Sequence, residues 1–231
     1  MNSTILITGN RKGIGLHLTK YYLEKGYNVV GCSRGESNLK HSNYLHIIAD
    51  VSDEKMVRKV VSQAKIKFKS IDILINNAGV ASLNHSLLTP GSSVEKVFRT
   101  NFYGSFFFSR ECAKLMMKNG GGKIVNFSTV AVPLNLDGEM VYAASKAAVE
   151  KMTKIMAKEL APFNILVNAI GPTPINTDLI KAVPKDKINK LLNDQLIHRL
   201  GELKDIENVI DFFIDKKSDF ITGQIIYLGG L

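Results

Sequence analysis

Cysteine is nearly absent: Cys32 and Cys112 are the only two among 231 residues. Both fall in apolar segments, which suggests buried free thiols in a reducing cytoplasm and not a disulfide framework. No grouping of cysteine and histidine has metal-ligand spacing, so no metal site is expected. No apolar run approaches the ~20 residues that span a bilayer, so no membrane association is expected. The opening "MNSTILITGN" has no basic stretch ahead of its apolar one and reads as a first strand, not a leader. Arginine-rich tracts with interleaved aromatics are missing as well. The formal charge of +9 therefore reads as a solvated basic surface and not as a nucleic-acid interface. Such a field still speeds encounter with an acidic or phosphorylated partner. What remains is 45% hydrophobic and 22% charged, the balance of a globular domain able to bury a large core.

Short apolar runs alternate with amphipathic stretches along the whole chain. Runs at 4–8, 27–33, 44–49, 71–76, 122–128, 164–170 and 224–229 read as seven strands. They are too continuously apolar for half-exposed hairpins and suit a parallel sheet covered on both faces. Helical patterns lie near 13–25, 53–68, 93–118, 139–161 and 203–215. That alternation predicts an α/β, doubly wound, Rossmann-type sheet in a single domain spanning 1–231. Two connections are irregular. Residues 34–43 are too polar and broken for a solid helix, and 173–200 reads as one or two short helices in a long connection.

"TGNRKGIG" (8–15) follows the first strand and opens the first helix. Glycines there let the backbone turn tightly and approach a pyrophosphate held at the helix N-terminus. Their spacing is G-x-x-x-G-x-G, with Gly9, Gly13 and Gly15 and with Arg11, Lys12 and Ile14 between them. A carboxylate at the end of the second strand usually binds the ribose hydroxyls of NAD. Here Ser33 is followed by Arg34, which would attract a 2′-phosphate. NADP(H) is the expected cofactor, with NAD(H) as the alternative.

In "GEMVYAASKAAVEKM", Tyr142 stands four residues before Lys146, on one helical face. Free tyrosine has a pKa near ~10. A cation about 4 Å away, at an effective dielectric near 20, favours phenolate by roughly 4 kcal/mol, or about three pKa units. Such a phenol can work as a general acid or base. On its own, such a pair is more often a feature of an ordinary structural helix.

Taken together, these motifs resemble the short-chain dehydrogenase/reductase family over essentially the full length. "TGNRKGIG" resembles the family's cofactor turn, and "ADV" resembles the element whose aspartate, here Asp50 with Val51 after it, meets the adenine. "NNAG" resembles the segment laid against the cofactor, through Asn77, Ala78 and Gly79. Asn101 matches the tetrad asparagine, Tyr142 and Lys146 match the Y-x-x-x-K pair, and "SDFITGQIIYLGG" resembles the last-strand signature. The resemblance implies that Tyr142 exchanges a proton with the substrate oxygen. Lys146 would lower the Tyr142 pKa and bind the nicotinamide ribose, while Asn101 holds a relay water. Pro172, Ile175 and Thr177 would pass the nicotinamide and phosphates.

Departures from the family pattern bear on function. The usual thirteen-residue interval before Tyr142 lands on Thr129, with Ser128 as the alternative after a one-residue shift. Thr173 and Pro174 stand in a loop where the family has glycine, and Val132 replaces a common glycine and should narrow the pocket wall. In pattern the chain is closest to 3-oxoacyl-acyl-carrier-protein reductases and related ketoreductases. The expected function is NADP(H)-dependent reduction of a ketone. Its substrate is a small carbonyl compound or one carried on an acidic acyl carrier protein met by Lys118 and Lys123. The alternative is a non-catalytic NADP(H)-binding sensor or scaffold. The resemblance further implies a homodimer or homotetramer formed through 93–118 and 139–161.

Overall fold

The computed structural model describes residues 2–176 and 185–230. Seven strands, β1 (Thr4–Thr8), β2 (Asn28–Ser33), β3 (Tyr44–Ile48), β4 (Ile73–Asn76), β5 (Gly122–Phe127), β6 (Ile165–Gly171) and β7 (Ile225–Tyr227), form one sheet. All pair in parallel, in the order β3-β2-β1-β4-β5-β6-β7. Each lies within three residues of the run expected from its continuous apolar character. β1 and β4 are buried at every position, as a sheet covered on both faces requires.

Helices α1 (Gly13–Glu24), α2 (Glu54–Phe68), α3 (Gly91–Phe98), α4 (Gly104–Lys118), α5 (Ala131–Leu134), α6 (Met140–Leu160), α7 (Lys185–Asp194) and α8 (Leu203–Ile214) make the outer layers. One core joins α2, α4 and α6 to the sheet through Val57, Phe108, Met116, Val149 and Met156. The other joins α1 and α8 to the sheet through Leu18, Tyr22, Ile206, Ile210 and Phe213. Cys32 and Cys112 are buried free thiols whose pKa values burial pushes up.

The single helix expected over 93–118 is three pieces. α3 begins after Pro90, a π-helical turn covers Arg99–Tyr103, and α4 follows. Residues 34–43 contain no helix, as their broken polarity implied, and α7 is a short helix within the 173–200 connection. The brief helix α5 was not foreseen.

A buried amide chain ties the layers together. Asn76 Nδ2 on β4 donates to Asn126 Oδ1 on β5 (2.8 Å) and to Ser109 Oγ on α4 (2.9 Å). Asn126 Nδ2 in turn donates to Thr153 Oγ1 on α6 (2.9 Å). Its satisfied members lock α6 to one depth against the sheet.

Candidate active site

The sheet order reverses between β1 and β4, and there the loops at the strands' carboxyl ends part into a crevice. Gly9 adopts φ +69°, and a Cβ on it would lie 2.8 Å from Ala78 Cα. Conformation and space thus both demand glycine. Asn77 Nδ2 donates to the Thr8 and Gly9 carbonyls (2.8 and 3.2 Å), and Ala78 N donates to Thr8 Oγ1 (3.0 Å), pinning the two loops together. Lys12, just before α1, makes no side-chain cap, so the first N–H groups of the helix stay available to an anion.

The cavity here has a volume of about 610 Å³ and is lined on this side by Gly9, Arg11, Lys12, Gly13 and Ile14. Gly15 does not line it, contrary to expectation. A Cβ on Gly15 would lie 2.5 Å from the Gly9 carbonyl and 2.6 Å from Asn77 Nδ2, so this glycine serves the packing of α1 under the turn. Ser33 and Arg34 line the far end, and the Arg11 side chain runs alongside Gly35. Ser33 Oγ donates to the Gly35 carbonyl (2.8 Å). Among the described residues, Arg11, Lys12 and Arg34 have no acidic partner. Asp50 and Val51 form the adjoining wall, and Asp50 Oδ1 accepts from Ser52 N and Ser52 Oγ (both 2.8 Å).

The other end carries acid–base groups. α6 exposes Tyr142 and Lys146 to the cavity one turn apart. Lys146 is 4% exposed, and its Nζ donates to the Phe127 carbonyl (2.7 Å). Burial pulls its pKa down to about 8. Burial pushes the Tyr142 phenol up to about 12; the Thr129 hydroxyl opposes the rise and the Glu139 carboxylate adds to it.

Thr129 and Ser128 both line the cavity. The Thr129 hydroxyl lies where it acts on the Tyr142 phenol, whereas Ser128 Oγ donates to Glu150, which also accepts from Tyr227 Oη (2.7 Å). The expected lowering of the Tyr142 pKa by Lys146 is absent. Both groups lie in the low-dielectric wall, where desolvation dominates, and the ammonium is engaged by a carbonyl.

Asn101 sits in the π-helical turn, wholly buried. Its Oδ1 accepts from Val80 N (2.8 Å), and its Nδ2 donates to the Val80 carbonyl (3.0 Å) and to Ser145 Oγ (2.9 Å). It does not touch Lys146. Between the two lies Gly79, where a Cβ would stand 3.4 Å from Asn101 Oδ1 and 3.5 Å from Lys146 Nζ. The missing side chain leaves a passage between the amide and the amine.

Pro172, Thr173, Pro174 and Ile175 also line the cavity. They are braced by a Thr173–Gln195 hydrogen bond and a backbone bridge from Ile175 to Gly201. Thr177 lies outside the described residues. Val132 does not line the cavity; Val130 and Ala131 do. Lys118 and Lys123 are not on its rim. Lys123 opens β5 at the end opposite Phe127 and pairs with Asp219 (2.5 Å). At ~3.3 Å per residue it is over 10 Å from the carboxyl ends. Glu139, Leu83, Leu136 and Leu191 also line the site; of these only Glu139 carries a signal in the sequence, its position three residues before Tyr142.

A family profile described as enoyl-(acyl carrier protein) reductase matches residues 8–230. The chain belongs to the short-chain dehydrogenase/reductase family. This short-chain dehydrogenase/reductase is 33% identical over 232 residues to the NAD-dependent glycerol dehydrogenase of Listeria innocua, covering 97% of this chain and 91% of that one. It is 31% identical over 240 residues to the 3-oxoacyl-acyl-carrier-protein reductase of Staphylococcus epidermidis, covering 100% and 98%. The structure of ElxO with NADP bound matches with a TM-score of 0.90 at 29% identity, covering 99% of this chain and 97% of that one. Membership makes the protein an oxidoreductase of a nicotinamide-using family.

Proposed function

We propose that the protein is an NADP(H)-dependent carbonyl reductase. The observation that carries this reading is the convergence of Thr129, Tyr142 and Lys146 on one end of a cavity whose other end holds three cations without acidic partners among the described residues. The cradle of Gly9 and Gly13, the uncapped start of α1 and the space at Gly79 fit a dinucleotide. Gly9, Gly13, Ile14, Asn77, Ala78 and Gly79 would hold its pyrophosphate and inner ribose. Asp50 and Val51 would border the adenine, and Ser33, Arg34, Arg11 and Lys12 a 2′-phosphate. Pro172 and Ile175 would border the nicotinamide. That group supplies hydride to a carbonyl carbon, or accepts it from an alcohol.

The chain's own residues handle the proton. Burial keeps Tyr142 protonated at neutral pH, ready to give its proton to the oxygen of a carbonyl under reduction. Thr129 Oγ1 steadies the same oxygen. Lys146, with a pKa of about 8, is mostly charged at pH 7 and would bind the nicotinamide ribose beside Tyr142. The passage beside Gly79 leads from Lys146 toward Asn101, the route for a replacement proton.

Partial exposure of the contacting aromatics Phe102, Tyr103, Phe106 and Phe107 supports subunit association through α4 and α6, which light scattering would measure. NADP in the ElxO structure supports the cofactor choice, while the Listeria relative's name supports NAD(H). NADPH and NADH oxidation with a panel of ketones and aldehydes tests the proposal. Cofactor binding without turnover of any carbonyl would overturn it.

A further inference from the structure

Among the described residues, two carboxylates line the cavity, Asp50 and Glu139. Asp50 is satisfied by Ser52. Glu139 is not: among the described residues no group donates a hydrogen bond to its carboxylate and none forms an ion pair with it. It stands at the residue preceding α6 and shares the cavity lining with Val80, Leu83, Leu136 and Leu191. Lys187 on α7 acts on it through space, but its Nζ leans to the Asp137 carbonyl (3.4 Å). Glu139 is half-buried, so its carboxylate faces the cavity with acceptor capacity that a ligand's donor can take up in place of solvent.

Its place relative to Tyr142 defines what that ligand is. Residues three apart on a helix have Cβ atoms about 5–6 Å apart. With a carbonyl oxygen at the Tyr142 hydroxyl, a group one or two carbons along the substrate falls within reach of Glu139. We propose that Glu139 is a substrate-recognition residue: the substrate carries a hydroxyl or ammonium donor beside its carbonyl and no carboxylate there. This rests on the cavity being a carbonyl-reducing site. Burial lifts Glu139 above the ordinary carboxylate range, and its charge raises Tyr142. A donor that neutralises Glu139 would therefore also ease proton release from Tyr142. A substrate carboxylate in the same place would meet like charge.

The test compares four substrates on one short carbon skeleton with the cofactor-saturated enzyme: 3-pentanone, 1-hydroxy-2-butanone, 1-amino-2-butanone and 2-oxobutyrate. The donor-bearing ketones should exceed 3-pentanone in kcat/KM by about 10- to 100-fold, as a charged hydrogen bond allows, and 2-oxobutyrate should be poorest. Glu139→Gln should keep most of the hydroxyketone preference, lose the aminoketone preference and raise 2-oxobutyrate. Glu139→Leu should abolish both preferences. The wild-type ratio between hydroxy- and aminoketone tells which donor the site takes. Equal turnover of all four, or ratios unmoved by both variants, overturns the role of Glu139 while leaving carbonyl reduction intact. No turnover of any of the four, or of the wider panel, overturns both.

Discussion

Asn101 pairs with Val80 as one backbone strand pairs with another, accepting from its N–H at 2.8 Å and donating to its carbonyl at 3.0 Å. The side-chain amide thus occupies the place of a peptide unit, and the helix loosens into a π turn to deliver it. The loop carrying Gly79 is thereby fixed to the helix that follows Phe98.

Asn101→Ala should therefore cost more than a relay. It leaves the Val80 N–H and carbonyl without partners in a dry site, a loss of about 2–4 kcal/mol. Urea unfolding should report that fall in the cofactor-free protein, and NADPH affinity should weaken because Gly79 is released. A variant unchanged in stability would contradict the pairing.

Substitution can separate the proposed roles of the hydroxyls at 128 and 129. Tyr142→Phe should lower kcat by about 100-fold or more while NADPH still binds. Thr129→Val should lower kcat by at least about tenfold, and Thr129→Ser should restore it. Ser128→Ala should leave kcat near wild type but lower stability by about 1 kcal/mol, since its hydroxyl bonds Glu150. Steady-state kinetics beside thermal melts checks the set.

Lys146 is held against its own stability. Its folded pKa of about 8 lies below the 10.5 of an ordinary lysine, so the unfolded chain binds the extra proton between those values. Stability then rises with pH across that window, and below pH 8 the full cost applies, about 3 kcal/mol. Lys146→Met should make the cofactor-free protein more stable at pH 7 by about 2 kcal/mol after loss of the Phe127 hydrogen bond. That advantage should shrink toward pH 10.5, while NADPH affinity and turnover fall at every pH. Denaturant titrations at pH 7 and 10 measure the difference.

Arg34 offers the sharpest control over cofactor choice. It lines the cavity beside Ser33 without an acidic partner among the described residues. Arg34→Glu should weaken NADPH by at least about tenfold and spare NADH, given the strength of charge-assisted phosphate contacts. Fluorescence titration with both dinucleotides reads the ratio. Equal weakening of both would place the 2′-phosphate elsewhere.

Most strands were legible because a parallel sheet buried on both faces leaves unbroken apolar runs such as "TILIT" and "ILIN". The Y-x-x-x-K pair and the glycine turn were legible because local spacing alone sets them. The break between α3 and α4 was not, since Asn101 is drawn out of register by Val80, twenty-one residues earlier. Nor was the rise in the Tyr142 pKa, which depends on how deep the helix sits. Gly15 looked like its neighbours in the motif, yet only packing reveals that it faces the turn and not the cavity. Lys118, at the end of α4, and Lys123, at the start of β5, were misplaced because charge carries no information about which end of the sheet it occupies.

The amide chain from Asn76 through Asn126 to Thr153 has a bearing on protein engineering. Transplanting "YAASK" with its helix into another α/β scaffold would carry the phenol and the amine but not the bolt that sets their height. Shifted outward by one turn, the lysine would meet water and regain an ordinary basicity. A working graft must import the two asparagines and the threonine as part of the same cassette.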